Sequence, residues 1–240
     1  MEAALVALIL MALLFLSVRF KVLDTPGNLG SLGIGLIIGL YGGVVWLLLL
    51  QCFVILGFLG TKYKYHQKEK RGVAEKRGGK RGWYNVVANG LVPTFIAFFR
   101  TELGDVAFVM FLSALSVATA DTLASEIGVL SDKVYLITKP SQKIKPGIDG
   151  GVSLLGQQAA LLGAFLITVA GLILFPLAHD QFEPSVLNFL VPLTMGFTGC
   201  QIDSVLGATL EQRGYLGKGG VNFVSIALGS ILAGLLVSFF

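Results

Sequence analysis

Eight apolar runs, at roughly 3–18, 29–41, 43–60, 84–99, 105–120, 152–178, 186–202 and 220–240, make up most of the chain, with polar or glycine-rich stretches between them. Overall 55% of the residues are apolar and 13% charged, against about 25% charged in soluble domains. A water-soluble globule is thereby excluded, and lipid becomes the solvent in which the chain must fold. The expected fold is all-α, a polytopic membrane helix bundle of about eight transmembrane helices (six to eight), forming one unit over residues 1–240. Several runs fall short of the about 20 residues that cross the hydrocarbon as a straight helix. Short helices are tolerated where their ends are buried in protein or line a wet cavity, so the bundle is expected to enclose a hydrated site.

The first run has no basic residues before it and no small-residue cleavage site after it, so it reads as a retained helix and not as a cleaved signal. Cys52 and Cys200 both lie inside apolar runs, which leaves neither a disulfide framework nor a Cys-rich zinc site. His66 and His179 lack a second ligand at useful spacing and read as loop residues.

Topology turns on residues 29–60, which as one helix would reach about 48 Å. Gly42-Gly43 offers a break, giving two short helices and eight crossings. With the N-terminus outside, the connectors 19–28, 61–82, 129–151 and 209–219 share the cytoplasmic face and carry 2, 9, 4 and 2 Lys or Arg. Arg100 alone lies outside, as does the loop 178–185 with Asp180 and Glu183, which satisfies the positive-inside rule. The basic connector 61–82 reads mainly as topology and contact with anionic lipid. Only Lys80 and Arg81 sit beside a helix start that looks functional. Gly33, Gly35, Gly39 and Gly163 read as close helix packing.

Chemistry collects at the inner helix ends. Helix four opens after Lys80-Arg81-Gly82 with Asn85 and Asn89 on one face. Helix five ends in Asp121-Thr122-Leu123-Ala124-Ser125-Glu126, with Asp121 and Ser125 on one face and Thr122 and Glu126 on the next. Lys139, Lys143 and Lys145 then precede Asp149-Gly150-Gly151-Val152-Ser153, a glycine loop opening a helix whose free amides make a plausible phosphate cradle. Helix seven ends in Asp203-Ser204, and helix eight begins with Asn222 and Ser225. Ionisable residues at such depth are costly and point to function. Carboxylates beside hydroxyls, lysines and a glycine loop are an inventory for a magnesium-bound polyphosphate. Its position at the lipid boundary suggests an amphiphilic second substrate.

In these motifs the chain resembles the integral membrane kinases related to the chloroplast phytyl-phosphate kinase of the vitamin E pathway. The likeness rests on Lys80-Arg81-Gly82-Trp83 with Asn85 and Ala88-Asn89-Gly90, on Asp121-Thr122 with Ser125-Glu126-Ile127-Gly128, on Gly150-Gly151-Val152-Ser153, and on Asp203-Ser204 with Leu206-Gly207-Ala208-Thr209. It departs at Ile148, where family members more often place threonine. The resemblance implies transfer of the γ-phosphoryl group of CTP to an isoprenyl monophosphate, phytyl or geranylgeranyl phosphate, giving the diphosphate. Mg²⁺ would then sit on Asp121, Glu126 and Asp203, and the Asp149-Gly150-Gly151-Ser153 loop on the CTP phosphates. Lys139, Lys80 and Arg81 would neutralise charge, while Asn85, Asn89, Thr122, Ser125, Ser204 and Asn222 orient phosphates or nucleotide. The implied partners are CTP, the isoprenyl monophosphate and the bilayer of the cell membrane, with homo-oligomerisation left open and no nucleic acid. Two alternatives stand beside it: cytidylyl transfer to a lipid phosphate, which the same residues could serve, and transport of an anionic or lipidic solute, which short helices and glycine breaks also suit.

Overall fold

The computed structural model describes residues 2–177 and 185–239; His179, Asp180 and Glu183 lie outside the described residues. The protein is an all-α polytopic membrane bundle. Among the described residues six helices are long and apolar enough to cross a bilayer: α1 (Glu2–Phe20), α3 (Val44–Lys62), α8 (Val106–Gly128), α9 (Leu154–Leu174), α10 (Val186–Leu206, extended by a π-helical turn to Glu211) and α11 (Lys218–Ser238). Two shorter helices pack among them, α2 (Thr25–Ile37) and α6 (Trp83–Phe98). Short helices α4 (Tyr65–Lys70), α5 (Lys76–Gly79) and α7 (Arg100–Leu103) lie in the connectors.

The break expected at Gly42-Gly43 is present. A π-helical turn over Ile38–Gly42 ends α2, and Gly43 takes φ 95°, ψ 177°, a region open in practice only to glycine. Arg100 donates to the carbonyl of Gly42 at 2.9 Å and so closes this turn. At the opposite end the four basic connectors meet. Leu23 bridges Arg81, Arg71 pairs with Asp132 at 3.1 Å, Gly147 lies against Val73, and Gln212 donates to the Asp149 carbonyl at 2.7 Å.

Helix α8 is the central post. Every residue from Phe111 to Ala120 is buried, and the stretch is rich in Ala, Ser, Thr and Val, as expected of a helix enclosed on all sides. Between membrane helices lipid supplies no hydrophobic drive, so close backbone approach across small residues provides the attraction. A Cβ added at Gly199 of α10 would come within 2.5 Å of Val117, one at Gly229 of α11 within 2.7 Å of the same side chain, and one at Gly163 of α9 within 3.1 Å of the Thr119 carbonyl. Gly35 and Gly39 of α2 likewise admit Leu10 and Val6 of α1. Gly33 differs from the packing expected of it, since nothing lies within 4 Å of its missing Cβ.

One element was not foreseen. Residues 129–151, read as a Lys/Gly loop, contain most of a three-stranded antiparallel sheet, β1 (Val134–Leu136), β2 (Lys139–Ile144) and β3 (Gly151–Val152), in the order β2-β1-β3. Val134 faces Ile144 and Tyr135 faces both Lys143 and Val152, with an irregularity between Tyr135 and Leu136. The strand β2 is exposed along nearly its whole length and shows no apolar alternation, so the usual period-2 signal is missing.

A bulky residue at Gly199 should force α10 off α8. Gly199→Leu is expected to cost at least about 1–3 kcal/mol, the range for overpacking, seen as a lowered melting temperature of the detergent-solubilised protein. Leu232→Ala, at a 40% exposed position of α11, should leave the melting temperature nearly unchanged.

Candidate functional site

Four helices deliver polar side chains to one point at the basic face. Asp121, near the end of α8, and Asp203, near the end of α10, lie within hydrogen-bonding reach of each other. Ser225 of α11 donates to Asp203 Oδ2 at 2.9 Å. One turn earlier on α11, Asn222 Nδ2 donates to Asn89 Oδ1 of α6 at 3.4 Å, and Asn89 in turn donates to the Asn85 carbonyl at 2.8 Å. Positive charge reaches Asp121 from Lys218, the first residue of α11, and from Arg81. Gly219 lies flat against the Tyr84 ring, where a Cβ would come within 2.5 Å of a ring carbon; its lack of a side chain seats the start of α11 beside α6.

Glu126 belongs to a different arrangement. It lies five residues beyond Asp121, about 140° further around the helix, and its carboxylate is engaged elsewhere. Lys68 Nζ donates to Glu126 Oε2 at 2.7 Å, with the lysine side chain 0% exposed. Thr61 of α3 donates to Glu126 Oε1 at 2.7 Å. Arg81 Nη2 stands 3.6 Å from the same oxygen, and Arg81 Nη1 donates to Thr122 at 3.4 Å. Thr122 and Glu126 thus share the face expected of them, and both meet Arg81. Of the three acids expected to hold metal, the structure brings Asp121 and Asp203 together, while Glu126 is engaged by a lysine, a threonine and an arginine.

Arg81 also borders a cleft between α1, α2, α3 and α6. This cleft opens to one side, and the roughly 930 Å³ between its walls includes space continuous with open solvent. Its walls are apolar over most of their length, with Leu10, Leu13, Leu14, Ile34, Phe53 and Val54, and its polar end is formed by Thr61, Arg81, Asn85 and Asn89. Arg81 and Asn89 therefore belong both to the cleft and to the surroundings of the aspartates.

The remaining expected residues fall around this centre. Ser153 is the N-cap of α9; its hydroxyl accepts from Gly156 N at 3.1 Å and donates to the Gly128 carbonyl at 3.2 Å, so its bonding is spent on tying α9 to α8. Gly150 has φ 75° and no room for a side chain, since Ala208 fills that place. The Gly151 N–H donates to the Ile148 carbonyl at 3.0 Å. The glycine loop consequently packs on the π-helical turn Gly207–Glu211 that follows Asp203, with the exposed Asp149 held there through its carbonyl. Lys139 is exposed at the start of β2, and the lysine acting on Asp121 is Lys218. Ser125 is exposed and donates to the Thr122 carbonyl at 3.1 Å. Ser204 and Lys80 are half-buried. Sequence reasoning missed Lys68, Thr61 and Lys218. Lys68 is hidden in a run of nine basic residues, and nothing in their spacing marks the one that folds back.

The fold and this site define a polytopic helical membrane protein with a carboxylate pair and an arginine-headed cleft at its basic face. The chain belongs to the family described as integral membrane protein DUF92, whose model matches residues 8–230. It is similar to the uncharacterized membrane protein MJ0933 of Methanocaldococcus jannaschii, 31% identical over 94% of this chain and 90% of that one. Protein VTE6, chloroplastic, of Arabidopsis thaliana is 32% identical over 83% of this chain, which spans 60% of that relative's length. Protein PGR of the same plant is 28% identical over 91% of this chain and 90% of its own. No solved structure matches the chain.

Breaking a buried ion pair strands a charge and costs about 3–5 kcal/mol, whereas removing both charges is often near neutral. Lys68→Met alone is therefore expected to lower unfolding stability in detergent by that amount, and Lys68→Met combined with Glu126→Gln to recover most of the loss. A fully additive double variant would show that the pair is not coupled.

Proposed function

We propose that the protein is a CTP-dependent isoprenyl-phosphate kinase, which transfers the γ-phosphoryl group of CTP to phytyl or geranylgeranyl phosphate at the cytoplasmic face of the cell membrane. The observation that carries this reading is the cleft, apolar along α1, α2 and α3 and polar at Arg81, Asn85 and Asn89, whose polar end adjoins the Asp121–Asp203 pair. It suits an amphiphile with its head at this polar end, beside the acids, and its tail among the helices. The choice of CTP and of an isoprenyl monophosphate rests on the four motif blocks. A relative whose name places it in the chloroplast accords with that resemblance. The bias of basic residues toward this face supports a cytoplasmic orientation.

In the reaction an oxygen of the acceptor phosphate attacks the γ-phosphorus, the bond from that phosphorus to the bridging β,γ-oxygen breaks, and CDP leaves. The acceptor is already ionised near neutral pH, so no strong general base is needed, and positioning with charge neutralisation dominates. Lys218 and Arg81 supply positive charge at the aspartates, with Lys80 beside Arg81 in sequence. Asn85, Asn89, Asn222, Thr122 and Ser204 lie on the helix ends around the pair and orient phosphates or nucleotide. The glycine loop, seated on Ala208, and Lys139 on the adjoining sheet border the side from which a nucleotide arrives.

Among the described residues no group of three or more His, Cys, Asp or Glu side chains converges. Two carboxylates facing each other from neighbouring helices nevertheless fit Mg²⁺, which takes one or two carboxylates and completes its shell with water and substrate phosphates. Asp121 and Asp203 would hold it, and when bound it would neutralise charge on the transferring phosphoryl group.

The test uses detergent-solubilised protein, geranylgeranyl phosphate, Mg²⁺ and CTP labelled separately at the α and γ phosphorus. γ-Label in the lipid with release of CDP is expected. α-Label with release of pyrophosphate would mean cytidylyl transfer, and label from neither position, with phytyl phosphate also tried, would remove the kinase reading. Asp121→Asn and Asp203→Asn should each reduce turnover by at least about 100-fold, the scale of losing a group that stabilises transition-state charge, with the folded fraction unchanged. Near-wild-type rates in both would refute the metal assignment.

A further inference from the structure

Arg81 is held more firmly than a phosphate-neutralising surface residue needs to be. Its N–H donates to the Val22 carbonyl at 3.1 Å, and its own carbonyl accepts from Asp24 N at 3.1 Å. The backbone is thus stitched to the turn between the two helices that wall the cleft. Gly27 makes room for this contact, since a Cβ there would stand 3.0 Å from the Arg81 carbonyl. At the far end of the side chain, Nη1 faces Thr122 at 3.4 Å and Nη2 faces Thr61 at 3.3 Å and Glu126 at 3.6 Å. A guanidinium has five N–H donors in a rigid fork, more than those three oxygens require. Arg81 is also the only charged side chain among the described residues lining the cleft.

Behind Arg81 stands the buried pair. Lys68 Nζ donates at 3.0 Å to Gly60 O, at 2.7 Å to Thr61 O and at 2.7 Å to Glu126 Oε2, and these bonds use all three of its protons. Lys68 is therefore saturated and has nothing to offer a ligand. A buried ion pair gains little stability over apolar residues of the same volume, so its presence calls for another role. Lys68 holds one carboxylate oxygen of Glu126, leaving the other directed at Thr61 and the guanidinium.

We propose that Arg81 is the head-group clamp of the cleft, that it takes the phosphate monoester end of a single-tailed lipid, and that Glu126 and Lys68 are positioning residues that aim it. This deepens the kinase reading and rests on it for the identity of the acceptor. The acids then divide between the two reactants, Asp121 and Asp203 serving the transferring phosphoryl group while Glu126 serves the acceptor's head.

The experiment measures binding, apart from turnover. Tritiated geranylgeranyl phosphate and geranylgeraniol, which share a tail, are titrated against the purified solubilised protein without CTP. The wild type should prefer the phosphate, and Arg81→Ala should lower affinity for the phosphate by about 10- to 100-fold, the equivalent of losing a charged hydrogen bond, while changing affinity for the alcohol less than about twofold. The double variant Lys68→Met with Glu126→Gln, which keeps charge balanced and guards against misfolding, should lose about tenfold for the phosphate alone. A merely structural role would weaken both lipids together. Inorganic phosphate should displace the lipid only at large excess; displacement at equal concentration would mean a free-phosphate site and overturn the lipid clamp. If the wild type discriminates and both variants discriminate equally well, the clamp is overturned and the kinase reading stands. If the wild type shows no preference for the phosphate, the acceptor reading itself fails.

Discussion

The enclosure of α8 governs the rest of the structure. A helix surrounded by protein along its whole middle has to be approached closely, and in lipid close approach comes from small residues and not from the hydrophobic effect. The glycines of α9, α10 and α11 bring three helices onto one post. Once they are seated, their ends at the basic face have fixed relations to the end of α8. Asp121 and Asp203 meet for this reason, and Ser225 and Asn222 fall beside them. The carboxylate pair is a product of helix packing, with no loop needed to form it.

A second layer sits around that centre. Backbone bonds to Val22 and Asp24 fix Arg81 to the α1–α2 turn, and side-chain contacts tie it to α3 and α8. With Asn89, it borders both the apolar cleft and the surroundings of the acids. The helix α4, docked by Lys68, brings part of the basic connector into the same network.

Much of this was legible from residue patterns. Gly42-Gly43 announced a break because consecutive glycines favour a turn, and the structure places the break at Gly43 with a backbone angle that requires glycine. The gathering of four connectors at one end followed from the distribution of Lys and Arg, and Asp121 and Asp203 stood out because acids in apolar runs are costly. What escaped did so for physical reasons. Lys68 looks like its basic neighbours, and its burial depends on a carboxylate nearly sixty positions away. Glu126 reads as an acid without a protein partner until Lys68 is placed beside it. Ser153 and Gly150-Gly151 show a helix start after glycines, a pattern that serves a phosphate cradle or a tight cap equally well, and here the hydroxyl is spent on the cap. The sheet went unread because its longest strand is exposed along nearly its whole length and shows no apolar alternation.

At the end of the cleft away from Arg81, Gly35 lets Leu10 close against α2. From Ser17 to Leu10 it follows about 10 Å of α1 at about 1.5 Å per residue, roughly a third of the thickness of the hydrocarbon. Its outer wall, α1, has only 11% of the residues of its apolar span buried within the protein. On the kinase reading proposed above, a lipid acceptor would enter sideways, past this lipid-facing wall, without passing through water. Its supply would follow two-dimensional diffusion, and occupancy would track mole fraction in the leaflet, while the nucleotide responds to bulk concentration. Two reactants would thus be counted in different phases by one site at their boundary.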